Sequence, residues 1–233
     1  MSEKGQFITF EGLDKSGKTT MVRNLQLDLK ETKGVEKVKF YCDPDHNLLE
    51  GDLRRWLLNS NKLNDEAELF LFLASRSLLA EKIKEDLENG YTVFCDRWAD
   101  STLIYQGYLK KWYDRIPRNL FNEMNRIATL STRHEKDFLG LVPDITFFID
   151  VTVEECQKRL NKEQNTNYDK RLSTKARELR TLRDGYKTLI KNDKLNRLIY
   201  IDGNKEKADV YREIMSYLIK KGVVTEWILV KII

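Results

Sequence analysis

Eight consecutive residues near the N-terminus, Gly12-Leu13-Asp14-Lys15-Ser16-Gly17-Lys18-Thr19, follow the pattern G-x-x-x-x-G-K-T. A run of this kind can hold a chain of phosphates. Several negative oxygens close together need many short donors and one nearby cation. Glycines let a loop wrap inward and aim its N–H groups at those oxygens. A helix starting at the end of the loop adds the positive end of its dipole. In such a cradle Lys18 reaches the β- and γ-phosphates and the Thr19 hydroxyl ligates Mg²⁺. The expected ATP-binding set is Gly12, Asp14, Lys15, Ser16, Gly17, Lys18, Thr19 and Thr20. So short a pattern also arises by chance. Its weight comes from its place between a strand-like and a helix-like segment, where the mechanism requires it.

A phosphate cradle serves GTPases, ATPases and small-molecule kinases alike. The guanine-reading pattern N-K-x-D is absent from the sequence. The second element is instead Val93-Phe94-Cys95-Asp96 followed by Arg97. It puts an acid at the C-terminal end of a strand, where a parallel sheet gathers its ligands. Asp96 there can hold the water shell of a metal, and Arg97 can clamp an anionic oxygen. In isolation an Asp-Arg pair is a surface salt bridge. Beside a phosphate loop the functional reading outweighs that one.

Two such loops need a scaffold that brings them together. Residues 6–11 form a short β-branched and aromatic run ahead of the cradle. From Lys18 to about Lys33, Met21, Val22, Leu25, Leu27 and Leu29 mix with charges, predicting a surface helix ended by Gly34. Residues 35–42 predict a second strand, broken by Asp43-Pro44-Asp45, and a helix covers 48–59. A longer helix over 65–89 stops at Asn89-Gly90. A compact strand follows at 92–96, a helix at 117–138, and the most strand-like stretch of the chain at 144–151. Helices over 152–160, 174–192 and 205–221 surround a last strand at 198–202. Strands separated by helices imply βαβ units and an α/β fold, with a parallel sheet flanked by helices in three layers. No repeat or boundary splits residues 1–233, so a single domain is expected. The tail from Val224 to Ile233 is apolar enough to pack on the body as an edge strand.

Composition narrows the function classes. The 41 Lys and Arg exceed the 37 Asp and Glu by enough for a net charge of +4, and the two signs are interleaved. That favours anionic small ligands over coating a nucleic acid, and no stable nucleic-acid partner is expected. The longest clean apolar run, Leu69–Ala74, is far short of a membrane span, and MSEKGQF carries no apolar signal region. Cys42, Cys95 and Cys156 are odd in number and lack metal-ligand spacing, which predicts a reducing cytoplasm.

FEGLDKSGKTT, FLASR and DRWADSTLIYQG together resemble, in order and spacing, the three signature blocks of the thymidylate kinase family, and PDITFFIDV resembles the strand before that family's lid. The likeness runs from about residue 6 to residue 220. It implies the P-loop nucleoside monophosphate kinase fold and assigns roles residue by residue. Phe72 matches the aromatic that stacks on thymine, and Arg76 the arginine that hydrogen-bonds its exocyclic oxygen. Four residues apart, the two share a helical face, although core packing also explains Phe72. Arg97 matches the grip on the acceptor phosphate, and Asp96 the acid that orders metal and phosphates. Asp14 matches the carboxylate near the sugar 3′-hydroxyl. Tyr105 and Gln106 match positions beside sugar and base, Tyr105 excluding a ribose 2′-hydroxyl. Ser101 and Thr102 become pocket walls, with helix N-capping the alternative for each.

Residues 159–171 match a mobile lid over ATP, with Arg159, Lys162, Lys170 and Arg171 as candidate cations and Arg159 as an ATP contact. A solvated helix–loop face is the alternative for each. Lys15 is a second transfer-site cation, of the loop type found in some family members. Two departures bear on selectivity. His46 stands where the family usually places an arginine near the acceptor phosphate, and Trp98 replaces a tyrosine or phenylalanine.

The resulting expectation is an ATP- and Mg²⁺-dependent kinase making dTDP from dTMP, as a homodimer, with Lys18, Lys15, Arg97 and Asp96 as catalytic residues and Thr19 and Asp96 as metal ligands. A kinase of broader deoxynucleoside monophosphate or nucleoside specificity is the near alternative. A non-catalytic nucleotide-binding regulator, or a P-loop protein acting on nucleic acid, is the distant one.

Overall fold

A computed structural model describes residues 5–30, 37–45, 54, 57, 63–130, 140–162 and 175–224. Among the described residues five strands form one parallel sheet in the order β2-β3-β1-β4-β5. They are β1 (Phe7–Glu11), β2 (Val38–Cys42), β3 (Thr92–Asp96), β4 (Ile145–Asp150) and β5 (Leu198–Asp202). β1 and β4 are buried at every position, as strands covered on both faces must be.

Alternation along the strands sorts the core into two layers. On one face Ile8, Phe10, Phe94, Phe147 and Ile149 pack against α1 (Lys18–Lys30) and, beyond β5, α8 (Lys207–Lys220). On the other face Phe7, Val93 and Cys95 meet Leu79, Ile83 and Leu87 of α2 (Asp65–Glu88). Phe148 meets α6 (Val153–Lys162) and α7 (Ala176–Lys191) on that same side. α2 starts where Asn64 accepts the Ala67 N–H at 2.8 Å and Asp65, Glu66 and Glu68 occupy the first turn, favourable charges for a helix N-terminus. It stops at Asn89, with Gly90 at φ +79°, as the sequence predicts.

Two segments depart from the sequence reading. The helix expected over 117–138 is shorter, α5 (Arg118–Ile127), and ends where Thr129 turns its hydroxyl onto the Arg126 carbonyl; residues 131–138 lie outside the described residues. Between β3 and α5, where no helix was expected, a short α3 (Ala99–Thr102) runs on as a π-helix over Leu103–Leu109, with the Lys110 N–H reaching the Tyr105 carbonyl at 3.0 Å. α4 (Trp112–Arg115) follows. Most of the expected lid, residues 163–171, lies outside the described residues, as do His46, most of the helix over 48–59 and the tail beyond Val224. Residues 159–162 are the last turn of α6 rather than loop.

Candidate active site

β1 runs directly into the phosphate loop. Gly12 has φ +144°, and a Cβ there would lie 2.4 Å from the Ile149 carbonyl oxygen, so only glycine lets the chain leave the sheet at this height. Lys15 and Gly17 also take positive φ, +58° and +107°. Lys18 is buried and folds back on the loop, donating to the Gly12 and Leu13 carbonyls at 3.1 and 2.6 Å and to Ser16 Oγ at 3.4 Å. Burial and the Arg97 guanidinium push its pKa down to about 8, against the pull of Asp96, Asp14 and Glu11. Lys15 and Thr20 are half-buried beside it, and Ser16 is buried.

The second loop closes onto the first. Thr19 Oγ1 donates to Asp96 Oδ2 at 2.5 Å, while Asp96 Oδ1 is buried with no hydrogen-bond partner. Arg97 takes a left-handed backbone conformation, φ +68°. Its guanidinium donates to the Gly12 carbonyl and Ser101 Oγ at 3.1 Å each and to Asp14 Oδ1 at 2.5 Å. Tyr105 lays its ring 5.1 Å from that guanidinium and gives its hydroxyl proton to Asp14 Oδ2 at 3.0 Å.

A cavity of about 720 Å³ opens over these groups. Asp14, Lys15, Gly17, Lys18, Thr19 and Thr20 form its floor, with Asp96 and Arg97 beside them. Arg159 and Lys162 of α6 form another wall; Arg159 donates to the Lys15 and Ser16 carbonyls at 3.3 Å and to the Gly203 carbonyl at 2.9 Å. Among the described residues the lining holds nine Lys or Arg and five Asp or Glu, a surplus suited to a polyphosphate.

Phe72 and Arg76 stand on α2 and Ser101, Thr102, Tyr105 and Gln106 on α3 with its π-helical extension; none of the six lines the cavity, and Arg76, Ser101 and Tyr105 join it through hydrogen bonds with Asp43, Arg97 and Asp14. Phe72 is half-buried on α2 and lies neither in the apolar core clusters nor in the cavity lining. Arg76 is 1% exposed. Asp43 Oδ2 takes its Nε at 2.7 Å and Nη2 at 2.6 Å, and Asn125 Oδ1 takes Nη1 at 2.7 Å. Trp98 lies 5.8 Å beneath the guanidinium. Burial raises the Asp43 pKa, and Arg76 opposes the rise. Gln106 is buried and reaches Glu68 at 3.3 Å. Ser101 and Thr102 lie inside the first turn of α3, whose N-cap is Trp98, so neither caps the helix.

Sequence reasoning missed three contributors. Arg54 lines the cavity and donates to the Pro44 carbonyl. Asn125 braces Arg76 from α5, and the turn 204–207 after β5 supplies part of the lining. Each arrives from a distant element, so local spacing carries no signal for it.

The family model described as thymidylate kinase matches residues 10–214. A thymidylate kinase from Thermoanaerobacter sp. (strain X514) is 32% identical over 221 residues, covering 94% of this chain and 98% of that relative. One from Thermosipho africanus (strain TCF52B) is 35% identical over 221 residues, covering 92% and 98%. The crystal structure of thymidylate kinase from Ehrlichia chaffeensis superposes with a TM-score of 0.67 at 30% identity, covering 92% of this chain and 99% of that one.

Proposed function

The chain belongs to the thymidylate kinase family, and from that membership and the cavity geometry we infer that it transfers the γ-phosphoryl group of ATP to dTMP, giving ADP and dTDP. The observation that carries this reading is the convergence of Lys18, Asp96 and Arg97 on one cavity beneath a glycine-turned loop. The acceptor oxygen of dTMP is already anionic, so the transfer needs no side-chain base. Alignment and charge neutralisation supply the rate. Lys18 leaves its carbonyl partners for the donor phosphates, and Lys15 adds a second cation from the loop. Arg97 exchanges Asp14 for the acceptor phosphate, which frees Asp14 for the sugar. Arg54 lies on the same cavity and supplies acceptor-side charge near the segment after β2. Arg159 and Lys162 face the donor from α6.

The residues also fit a magnesium ion. Thr19 Oγ1 and Asp96 Oδ2 are adjacent, and Asp96 Oδ1 is a buried oxygen lacking a partner. Among the described residues no three His, Cys, Asp or Glu side chains converge on a metal site. That pattern suits an ion delivered by the nucleotide and held by few protein oxygens. When bound, Mg²⁺ neutralises charge developing on the phosphates.

Base selection falls to Phe72, Arg76 and Gln106, with Ser101, Thr102 and Tyr105 around the sugar. A homodimer completes the reading. Phe70 and Leu78 are 56% and 43% exposed on α2, with exposed Ala74 between them, an apolar stripe on one helical face. No helix among the described residues is long and apolar enough to cross a membrane, and a cytoplasmic location accords with the family.

Coupled ADP release with ATP and Mg²⁺ tests the reading across dTMP, dUMP, dCMP, dGMP, UMP, thymidine and no acceptor. Stimulation by dTMP above all others is expected. Equal stimulation by every monophosphate would replace it with a broad-specificity kinase, and none at all would leave a nucleotide-binding regulator.

A further inference from the structure

Glu11 is the last residue of β1, fully buried, and has no part in the transfer described above. Burial raises its pKa, with Asp100 adding to the rise and Arg97 opposing it. A carboxylate in that position is costly unless donors surround it. Four do. Trp98 N–H and Ser101 N–H reach Oε1 at 2.8 and 3.2 Å, and Ser101 Oγ and Tyr186 OH reach Oε2 at 2.6 and 2.8 Å. Three of these donors belong to the segment that begins with Arg97; the fourth comes from α7.

The hydroxyl of Ser101 has a single proton. Since a carboxylate only accepts, that proton goes to Glu11, and Ser101 Oγ is left to meet Arg97 Nη1 as an acceptor at 3.1 Å. The backbone effect runs in the same direction. Arg97 sits at φ +68°, a conformation that costs a non-glycine residue energy. It is held between its own N–H on the Phe10 carbonyl at 2.9 Å and the next N–H, that of Trp98, on Glu11.

We propose that Glu11 is a positioning residue for acceptor binding: through the Ser101 hydroxyl and the Trp98 and Ser101 amides it fixes the Arg97 guanidinium over the phosphate cavity. The proposal rests on the reading of Arg97 as the grip on the dTMP phosphate. Glu11 touches neither nucleotide; it acts through Arg97.

The test is steady-state kinetics on the full chain, with dTMP and ATP varied in turn, for wild type, Arg97→Ala, Glu11→Gln, Ser101→Ala and the Glu11→Gln/Ser101→Ala double variant. An amide at position 11 keeps one acceptor and aims an NH₂ at donors. Glu11→Gln is expected to raise KM for dTMP roughly tenfold or more, the loss of a charge-assisted hydrogen bond, with KM for ATP within about twofold. Ser101→Ala is expected to move the same constant, and the double variant to be no worse than Glu11→Gln, as residues acting in one chain are not additive. If Glu11→Gln does not fold, Tyr186→Phe removes one donor to Glu11 and is expected to raise KM for dTMP by a smaller factor, again sparing ATP. A folded variant with both constants unmoved, or both raised in equal proportion, overturns the proposal, as does an additive double variant. Arg97→Ala separates the layers: unchanged KM for dTMP there removes the reading of Arg97 itself, whereas a large rise there with none in Glu11→Gln or Tyr186→Phe removes only the role of Glu11.

Discussion

Lys18 is a cation whose partners, in the chain alone, are carbonyls and a hydroxyl of its own loop. With its pKa lowered to about 8 by burial and Arg97, it is part-neutral in mildly alkaline solution, and phosphates then draw a proton onto it. ATP affinity is therefore expected to fall as pH rises through about 8. Calorimetry in buffers of different ionisation enthalpy should detect proton uptake near that pH, and binding without uptake would contradict the assignment. For the chain alone the sign is opposite. The unfolded lysine holds its proton up to the ordinary value of 10.5, so between about pH 8 and 10.5 this group makes folding more favourable as pH rises. Arg76 sets a second prediction. Its removal leaves Asp43 buried without its cation, so Arg76→Ala is expected to weaken dTMP binding at least tenfold more than ATP binding, with a lower urea midpoint, both measurable on one preparation. Equal losses for the two nucleotides would argue against base reading. The phosphate loop was legible in the sequence because its chemistry is local, eight residues in a row. The brace on Arg76 was not, because Asn125 is 49 positions away and only the packing of α5 on α2 brings the two together.

The strands and the long helices lie close to the bounds expected of them. Apolar runs bounded by turn residues gave β1, β3, β4 and β5 to within about a residue or two, and Asn89-Gly90 gave the end of α2. The segment from Ala99 to Leu109 did not follow. It mixes apolar and polar residues without a helical stripe, and its geometry is set from outside. Arg197 pairs with Asp100 through two bonds of 2.7 and 2.8 Å and also donates to Thr146 Oγ1 at 2.8 Å, tying α3 to β4 and to the start of β5. Asp100 is 4% exposed. Asp100→Asn takes the bidentate counter-ion from the half-buried Arg197 guanidinium and is expected to cost about 1–3 kcal/mol in urea unfolding. A loss below about 1 kcal/mol would mean that water replaces the carboxylate. Gly12→Ala tests the opposite end of the site. A Cβ pressed 2.4 Å from the Ile149 carbonyl must push the loop off β4, so turnover is expected to vanish even where the variant stays folded by circular dichroism.

At the scale of the whole molecule, the phosphate loop and the Asp96-Arg97 turn lie at the C-terminal ends of parallel strands β1 and β3, which is where an α/β pattern in the sequence says to look. What it could not tell was which distant pieces would line the cavity, since Arg54 and the turn 204–207 reach it only after the chain has wound back. The exposed stripe on α2 carries the assembly prediction. Light scattering is expected to give a dimer for the native chain and a monomer for Phe70→Asp with Leu78→Asp, while circular dichroism stays unchanged; a monomeric native chain would contradict the proposed pairing. α2 has two working sides. Its outer side shows Phe70 and Leu78 to solvent, and its inner side holds Arg76 against Asp43 and Asn125, within eight residues of one another. If the proposed pairing runs through that outer side, self-association and acceptor binding share one helix and become thermodynamically linked quantities. Specific activity per protomer should then drift on dilution at sub-saturating dTMP and hold steady once the acceptor is in excess, so that the substrate itself acts as the agent that keeps two copies together.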